Sequence, residues 1–343
     1  MERRFNMAKD RYSRQIRYKG IGESGQQKIS QKAVLIVGMG ALGTHLAEGL
    51  VRAGIRKLMI VDRDYIEHSN LQRQTLFTEQ DADESVPKVI AAQQMLHAIR
   101  RDVEIETFIE HVDSAFLERI VPEVDLIMDA TDNFETRLLI NDAAYLYHTP
   151  WIYGGVVQST YVEAPFIPGE TPCFQCLVPQ IPSMNLTCDT VGVIQPAVTM
   201  TTSLQLADAL KILTETPIEA KLTYGDIWEG THYRFGMQRL YRSDCPTCGT
   251  TPTYPYMNAQ ETHFAALCGR DTVQYQHPSL THDALITFLQ ERQISYQSNG
   301  YLIRFHFEAY RIVAFQDGRL LIHGLKDLHQ AQVLVHKLSL IHI

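Results

Sequence analysis

A chain of 343 residues with 45% hydrophobic and 20% charged side chains has the composition of a globular protein, long enough for one large domain with an appendage or for two domains. Its net charge of −8 withholds the basic field that binding nucleic acid over a surface requires. The opening MERRFNMAKDRYSRQ has no apolar core of a signal peptide, and no later run approaches the roughly 18 apolar residues of a membrane span, so a cytoplasmic protein with no membrane partner is expected.

The first readable element is the apolar, β-branched run from Ala33 to Val37. Gly38, Gly40 and Gly43 follow it, and then a stretch of helical periodicity: strand, tight turn, helix. In such a loop Gly38 permits the turn, Gly40 lets a phosphate approach the backbone, and Gly43 allows helix and strand to pack closely. The helix N-terminus offers unpaired N–H groups to an anion. A second strand, KLMIVD, ends at Asp62, close to the ~20 residues after the glycines at which an acid binds ribose hydroxyls. The pattern predicts a doubly wound, Rossmann-like α/β sheet that holds a nucleotide with a free ribose. It does not say which nucleotide.

Three polar clusters come next: HSNLQRQTLF (68–77), SVPKVIAAQQML (85–96) and LIMDATDNFETR (126–137). A nicotinamide dehydrogenase has no general use for Arg73, Lys88 and a second acid, Asp132, at the end of another strand. A magnesium triphosphate does, because cations neutralise the charge that builds on departing pyrophosphate and an aspartate holds the metal. GMGALGTH has threonine where a P-loop would place its lysine, so a lysine must come from elsewhere; Lys88, after Pro87 at the start of a predicted helix, is the candidate. Each of Arg73 and Lys88, taken singly, also reads as an ordinary solvated charge.

Four of the six cysteines form two pairs, Cys173-x-x-Cys176 and Cys245-x-x-Cys248. In a reducing compartment these suit a tetrahedral four-thiolate zinc site that staples distant segments. Such a site leaves no open position for water and is therefore structural. Redox disulfides or unrelated thiols are the alternative.

RYSRQI, GMGALGTHLAEGLVRAGI, Asp62, SNLQRQ, PK, DATDN, the cysteine pairs and LTCDTVGV together resemble the ThiF/MoeB/HesA adenylyltransferases, which are similar to the adenylation half of ubiquitin-activating enzymes. The resemblance runs from about Arg11 to Thr250. It implies that Asp62 binds the ribose of ATP, that Asn70, Arg73 and Lys88 contact the phosphates, and that Asp132 organises Mg2+. It further implies that Arg14 reaches the phosphates of a neighbouring subunit in a homodimer. The family's glycine loop maps onto Gly38, Gly40 and Gly43, and its zinc ligands onto Cys173, Cys176, Cys245 and Cys248. The implied reaction is attack on ATP by the C-terminal glycine carboxylate of a small ubiquitin-fold sulfur-carrier protein, which needs no general base. A molybdopterin-type (MoaD-like) carrier is the first expectation and a thiamine-type (ThiS-like) carrier the second. An NAD-dependent oxidoreductase and a zinc-dependent scaffold without turnover are the competing classes. Cys188 stands where relatives with a thiolating step carry a cysteine that can link covalently to the carrier; it reads either as that nucleophile or as a small, partly buried residue. Cys268 reads as structural.

The resemblance fades from about Asn258, which divides the chain into a nucleotide domain (1–257) and a small α+β domain (258–343). The latter shows a helix in SLTHDALITFLQER with Thr281 as N-cap, a half-buried strand in YLIRFHFE, a hairpin turning at Asp317-Gly318, and a closing amphipathic helix in KDLHQAQVLVHKLSL. At roughly 80 residues it is short for a rhodanese domain and has no cysteine in a rhodanese-like loop. Carrier docking, dimer support or plain stabilisation are its candidate roles.

Overall fold

The computed structural model describes residues 11–180, 191–259, 264–266, 271–277, 280–325 and 327–338. Cys188 and Cys268 lie outside the described residues. Eight strands, β1 (Ala33–Val37), β2 (Lys57–Val61), β3 (Glu104–Phe108), β4 (Leu126–Asp129), β5 (Trp151–Val157), β6 (Thr160–Phe166), β7 (Lys221–Asp226) and β8 (Thr231–Gly236), form one sheet in the order β3-β2-β1-β4-β5-β6-β7-β8. The first five in that order run parallel, and β5 to β8 continue as an antiparallel meander.

β1 is buried along its whole length because helices cover both faces, as its unbroken apolar run requires. Val34 and Ile36 face the helices Ala41–Ala53, Lys88–Ile99 and Gln195–Leu213, while Ala33, Leu35 and Val37 face Ser114–Ile120 and Phe134–Leu146. Register fixes where a ligand can go. Val37 pairs with Val61 on one side and Asp129 on the other, and Val61 pairs with Phe108. Gly38, Asp62, Ile109 and Ala130 therefore leave the sheet at one level. The order reverses between β1 and β4, and the crevice at such a switch point is where open α/β sheets bind ligands.

The remaining strands, β9 (Phe264–Ala266), β10 (Thr272–Gln276), β11 (Tyr296–Ser298), β12 (Leu302–Phe307), β13 (Tyr310–Phe315) and β14 (Arg319–His323), make a separate antiparallel sheet in the order β11-β12-β13-β14-β10-β9. Met257 still belongs to the core of the first sheet. Thr281 caps the helix His282–Glu291 by accepting from the Ala284 N–H, and Gly318 takes the positive φ (82°) that the turn between β13 and β14 demands. Ile303, Phe305, Ile312, Leu320 and Ile322 pack against this helix and the closing helix Leu328–Lys337. The alternate positions Leu302, Val313, Phe315 and Leu321 do not face solvent. They form a second cluster with Tyr65, and Ile109 packs against it. β12, read from its sequence as half-buried, keeps that alternation, with Ile303 and Phe305 buried and His306 exposed, while Leu302 and its neighbours on β13 and β14 meet the nucleotide domain.

Candidate nucleotide site and cysteine cluster

A cavity of about 260 Å³ opens at the carboxyl edge of β1, β2 and β4. Of the residues singled out in the sequence, Gly38, Gly40, Asp62, Arg73, Lys88 and Asp132 all line it. Gly43, Asn70 and Arg14 do not.

The three glycines differ in why they must be glycine. Gly38 has φ +94°, and a Cβ there would stand 2.6 Å from the Ala130 carbonyl oxygen. A Cβ on Gly43 would stand 2.1 Å from the Gly38 carbonyl oxygen. Both exclusions come from the protein's own packing. A Cβ on Gly40 would meet nothing closer than the Gln74 side-chain nitrogen at 3.8 Å, so the space beside it is open to the cavity.

Asp62 accepts the Met39 N–H at 2.6 Å and the Asp64 N–H at 2.7 Å, which locks the glycine loop to the end of β2. Each oxygen keeps a second acceptor site for a ribose hydroxyl. Lys88 opens its helix, its N–H bonded to the Asp64 carbonyl at 3.0 Å and its ammonium 3.3 Å from the Asp64 carboxylate. It is only 3% exposed. A buried cation at a helix N-terminus opposes the helix dipole, so this placement is poor for stability and good for holding an anion. Arg73 projects from the turn after His68–Asn70 and donates to the Ser69 carbonyl at 2.9 Å. Asn70 is buried, its Oδ1 accepting the Glu67 N–H at 3.0 Å, and so it shapes the turn that carries Arg73. Asp132 is exposed on the loop between β4 and the helix Phe134–Leu146. Arg14 is exposed in the short helix Ser13–Ile16.

Several lining residues were not singled out in the sequence. Asp64 is the counter-ion of Lys88; the Asp-x-Asp spacing after β2 was its signal. Arg137 lay inside a quoted cluster without a role. It is buried and donates to the Asp129 carboxylate at 3.0 Å, to the Thr131 carbonyl at 2.6 Å and to the Gly154 carbonyl at 3.1 Å. Asp129, fully buried, also accepts from the Thr131 N–H and hydroxyl at 2.9 and 2.6 Å. Burial works against the Arg137 charge, but the charges around it, Asp129 foremost, together raise the guanidinium pKa. This pair fixes the loop on which Asp132 sits. His111 presents a neutral ring to the cavity, because burial first, and then the charges of Arg63 and Arg319, push its pKa down to about 3. Its Nδ1 lies 3.2 Å from Arg63 Nη1 and accepts from it, which leaves the ring proton on Nε2.

The four paired cysteines converge. Their sulfurs lie within 4.8 Å of one another, with Cys173 to Cys245 and Cys176 to Cys248 each at 3.5 Å. Four thiolates about 2.3 Å from a tetrahedral zinc ion stand about 3.8 Å apart, so the donor set and its spacing fit that metal. Both knuckles are tied to the helix Phe134–Leu146. Asn141 Oδ1 accepts the Phe174 N–H at 2.8 Å; Asp142 accepts the Thr247 hydroxyl at 2.5 Å and the Tyr256 N–H at 2.8 Å. The cluster thereby braces the helix whose first turn adjoins Asp132.

The model of the ThiF family matches residues 12–247. The sulfur carrier protein ThiS adenylyltransferase of Bacillus subtilis is 41% identical, covering 95% of this chain and 98% of that protein. The molybdopterin-synthase adenylyltransferase of Escherichia coli is 32% identical over 70% of this chain and 96% of that protein. Among solved structures, Escherichia coli MccB with ATP superposes with a TM-score of 0.60 at 23% identity, covering 70% of this chain and 74% of that one, which shows a shared fold. By its matched residues and its whole-length similarity, the chain belongs to the ThiF family.

Proposed function

We propose that this protein adenylates the C-terminal carboxylate of a small ubiquitin-fold sulfur carrier at the expense of ATP, releasing pyrophosphate. The observation that carries the reading is the shared cavity of Asp62, Arg73, Lys88 and Asp132 around a glycine loop with room left beside Gly40. A C-terminal carboxylate, with a pKa of about 3.5, is ionised at neutral pH and needs no general base. It attacks the α-phosphorus, an acyl–O–P bond forms, and the bond to the pyrophosphate oxygen breaks. Lys88 and Arg73 neutralise the charge on the leaving group, and Asp62 orients the ribose. Asp132, an exposed carboxylate on the cavity wall, fits as the residue that holds Mg2+, which when bound supplies charge neutralisation at the phosphates. Arg14 lies outside the cavity of its own chain, as an arginine serving the neighbouring subunit of a homodimer would.

Both carrier branches share these motifs. A ThiS-like carrier is favoured here over a MoaD-like one because similarity to the Bacillus subtilis ThiS adenylyltransferase extends over 95% of the chain, tail included. The test is to incubate the protein with ATP, magnesium and each purified carrier, and to weigh the carrier. Addition of AMP to the ThiS-like carrier is expected. Tight NAD binding with no AMP transfer and no ATP–pyrophosphate exchange would return the site to the oxidoreductase class. AMP on the MoaD-like carrier alone would reverse the carrier assignment.

The cysteine cluster enters this proposal as a structural zinc site. Cys245→Ser protein is expected to retain well under one zinc per chain and to melt about 5–10 °C earlier, since ~1 kcal/mol moves the melting temperature of a large domain by roughly 2–4 °C. Metal analysis beside a melting curve checks both; zinc-free wild-type protein with an unchanged melting temperature would remove the metal from the fold.

A further inference from the structure

The C-terminal domain touches the nucleotide domain through several polar contacts, Arg311 to Glu67 at 3.0 Å and Tyr65 to His323 at 3.3 Å among them; two further ones differ in where they hold it. One is at the rim: Asn299 Nδ2 donates to the Glu84 and Ser85 carbonyls at 2.9 and 3.1 Å, and neither of these residues lines the cavity. The other lies behind the cavity. Arg319, at the start of β14, has no exposed surface. Its Nη1 donates to the Arg63 carbonyl at 2.8 Å and its Nη2 to the Ile109 carbonyl at 3.4 Å. Nε pairs with Asp317 at 3.3 Å, and the guanidinium lies 3.9 Å over the Phe315 ring.

The two carbonyls it grips are not arbitrary. Arg63 sits between Asp62, the expected ribose acid, and Asp64, the counter-ion of Lys88. Ile109 precedes Glu110 and His111, which line the same cavity. One buried side chain of the appended domain thus ties together the segments leaving β2 and β3. Burying a guanidinium is costly unless every donor is used. Here Nη1 and Nη2 are used on main chain that shapes the pocket and Nε on Asp317, beside the apolar contact that Leu302, Val313 and Leu321 already make.

We propose that Arg319 is a positioning residue of the nucleotide site, through which the C-terminal domain holds the Asp62–Asp64 loop and the segment after β3 in their binding geometry. This rests on the ATP-binding reading above and extends it beyond residues 12–247, the part shared with the family model.

The test uses the full chain. Arg319→Met, Arg319→Lys and Asn299→Ala are compared with wild type by calorimetric titration with Mg-ATP, which needs no carrier, and by the KM and kcat of carrier-dependent pyrophosphate exchange. Arg319→Met is expected to weaken ATP binding and raise its KM by about tenfold or more, the size of one or two lost charged hydrogen bonds. Its kcat at saturating ATP should stay within about twofold, because no group that meets the reacting atoms has changed. Arg319→Lys keeps the charge but cannot reach both carbonyls, and should fall between; it carries the test if the methionine variant does not fold. Asn299→Ala, which loosens the same interface elsewhere, should bind ATP like wild type. Amide exchange at residues 61–66 and 109–112 should quicken in Arg319→Lys without nucleotide. Wild-type affinity in the folded Arg319 variants, or an equal loss in Asn299→Ala, would overturn the positioning role while leaving the enzyme intact. A wild-type protein that binds no ATP would overturn both.

Discussion

Lys88→Ala protein is expected to lose carrier-dependent ATP–pyrophosphate exchange by about 10²–10³-fold, the usual loss when one fixed group that stabilises transition-state charge is removed. The residue is buried, begins its helix, and has Asp64 as counter-ion. Apart from Asp64, the position disfavours a cation in the ligand-free protein: the helix dipole repels it and burial desolvates it. Its removal has a second effect, because Asp64 would then face the incoming phosphates without this cation beside it. Stability and chemistry can be separated with Lys88→Ala/Asp64→Ala, which removes both charges of the pair. That double variant should recover most of the melting temperature lost by the single one and none of the exchange. Exchange within about twofold of wild type in Lys88→Ala would remove the lysine from the mechanism.

Arg137→Met should lower the stability of the folded chain by about 3–5 kcal/mol, since it leaves the Asp129 carboxylate buried without its cation. The urea midpoint is the readout. The same change frees the Thr131 and Gly154 carbonyls that the guanidinium holds, so the loop bearing Asp132 loosens and the magnesium requirement for exchange should shift to higher concentration. Asp129→Asn/Arg137→Met, which removes both charges, should restore a large part of the stability without restoring the loop. A single variant within about 1 kcal/mol of wild type would mean that Asp129 finds another partner.

These two residues also mark how far the sequence could be read. The strand at 33–37, the glycine loop, the Thr281 cap and the Asp317-Gly318 turn are local code, in which residues a few positions apart dictate backbone shape, and each lies where it was expected. The cysteine pairs are also local signals, and the fold brings their distant halves within 4.8 Å. Lys88 could be named because a phosphate site without a P-loop lysine demanded one. Arg137 could not be given a role, because the demand for a buried cation arises only once Asp129 is seen to have no access to water. Arg319 was invisible for a plainer reason: its partner at Arg63 is 256 residues away and is a main-chain carbonyl, which has no residue type to read. The second cover over the C-terminal sheet was missed likewise, since alternation in one strand shows which side is apolar but not what lies against the other.

The glycine loop carries one more consequence. Two of its three glycines are held in place by collisions inside the protein, and a mutation at Gly38 or Gly43 would be purged for misfolding in any descendant, active or not. Gly40 has no such protection. A lineage that kept the fold and gave up its nucleotide would be free to change that residue first, so a side chain at this single position would date the loss of chemistry in an otherwise unchanged motif.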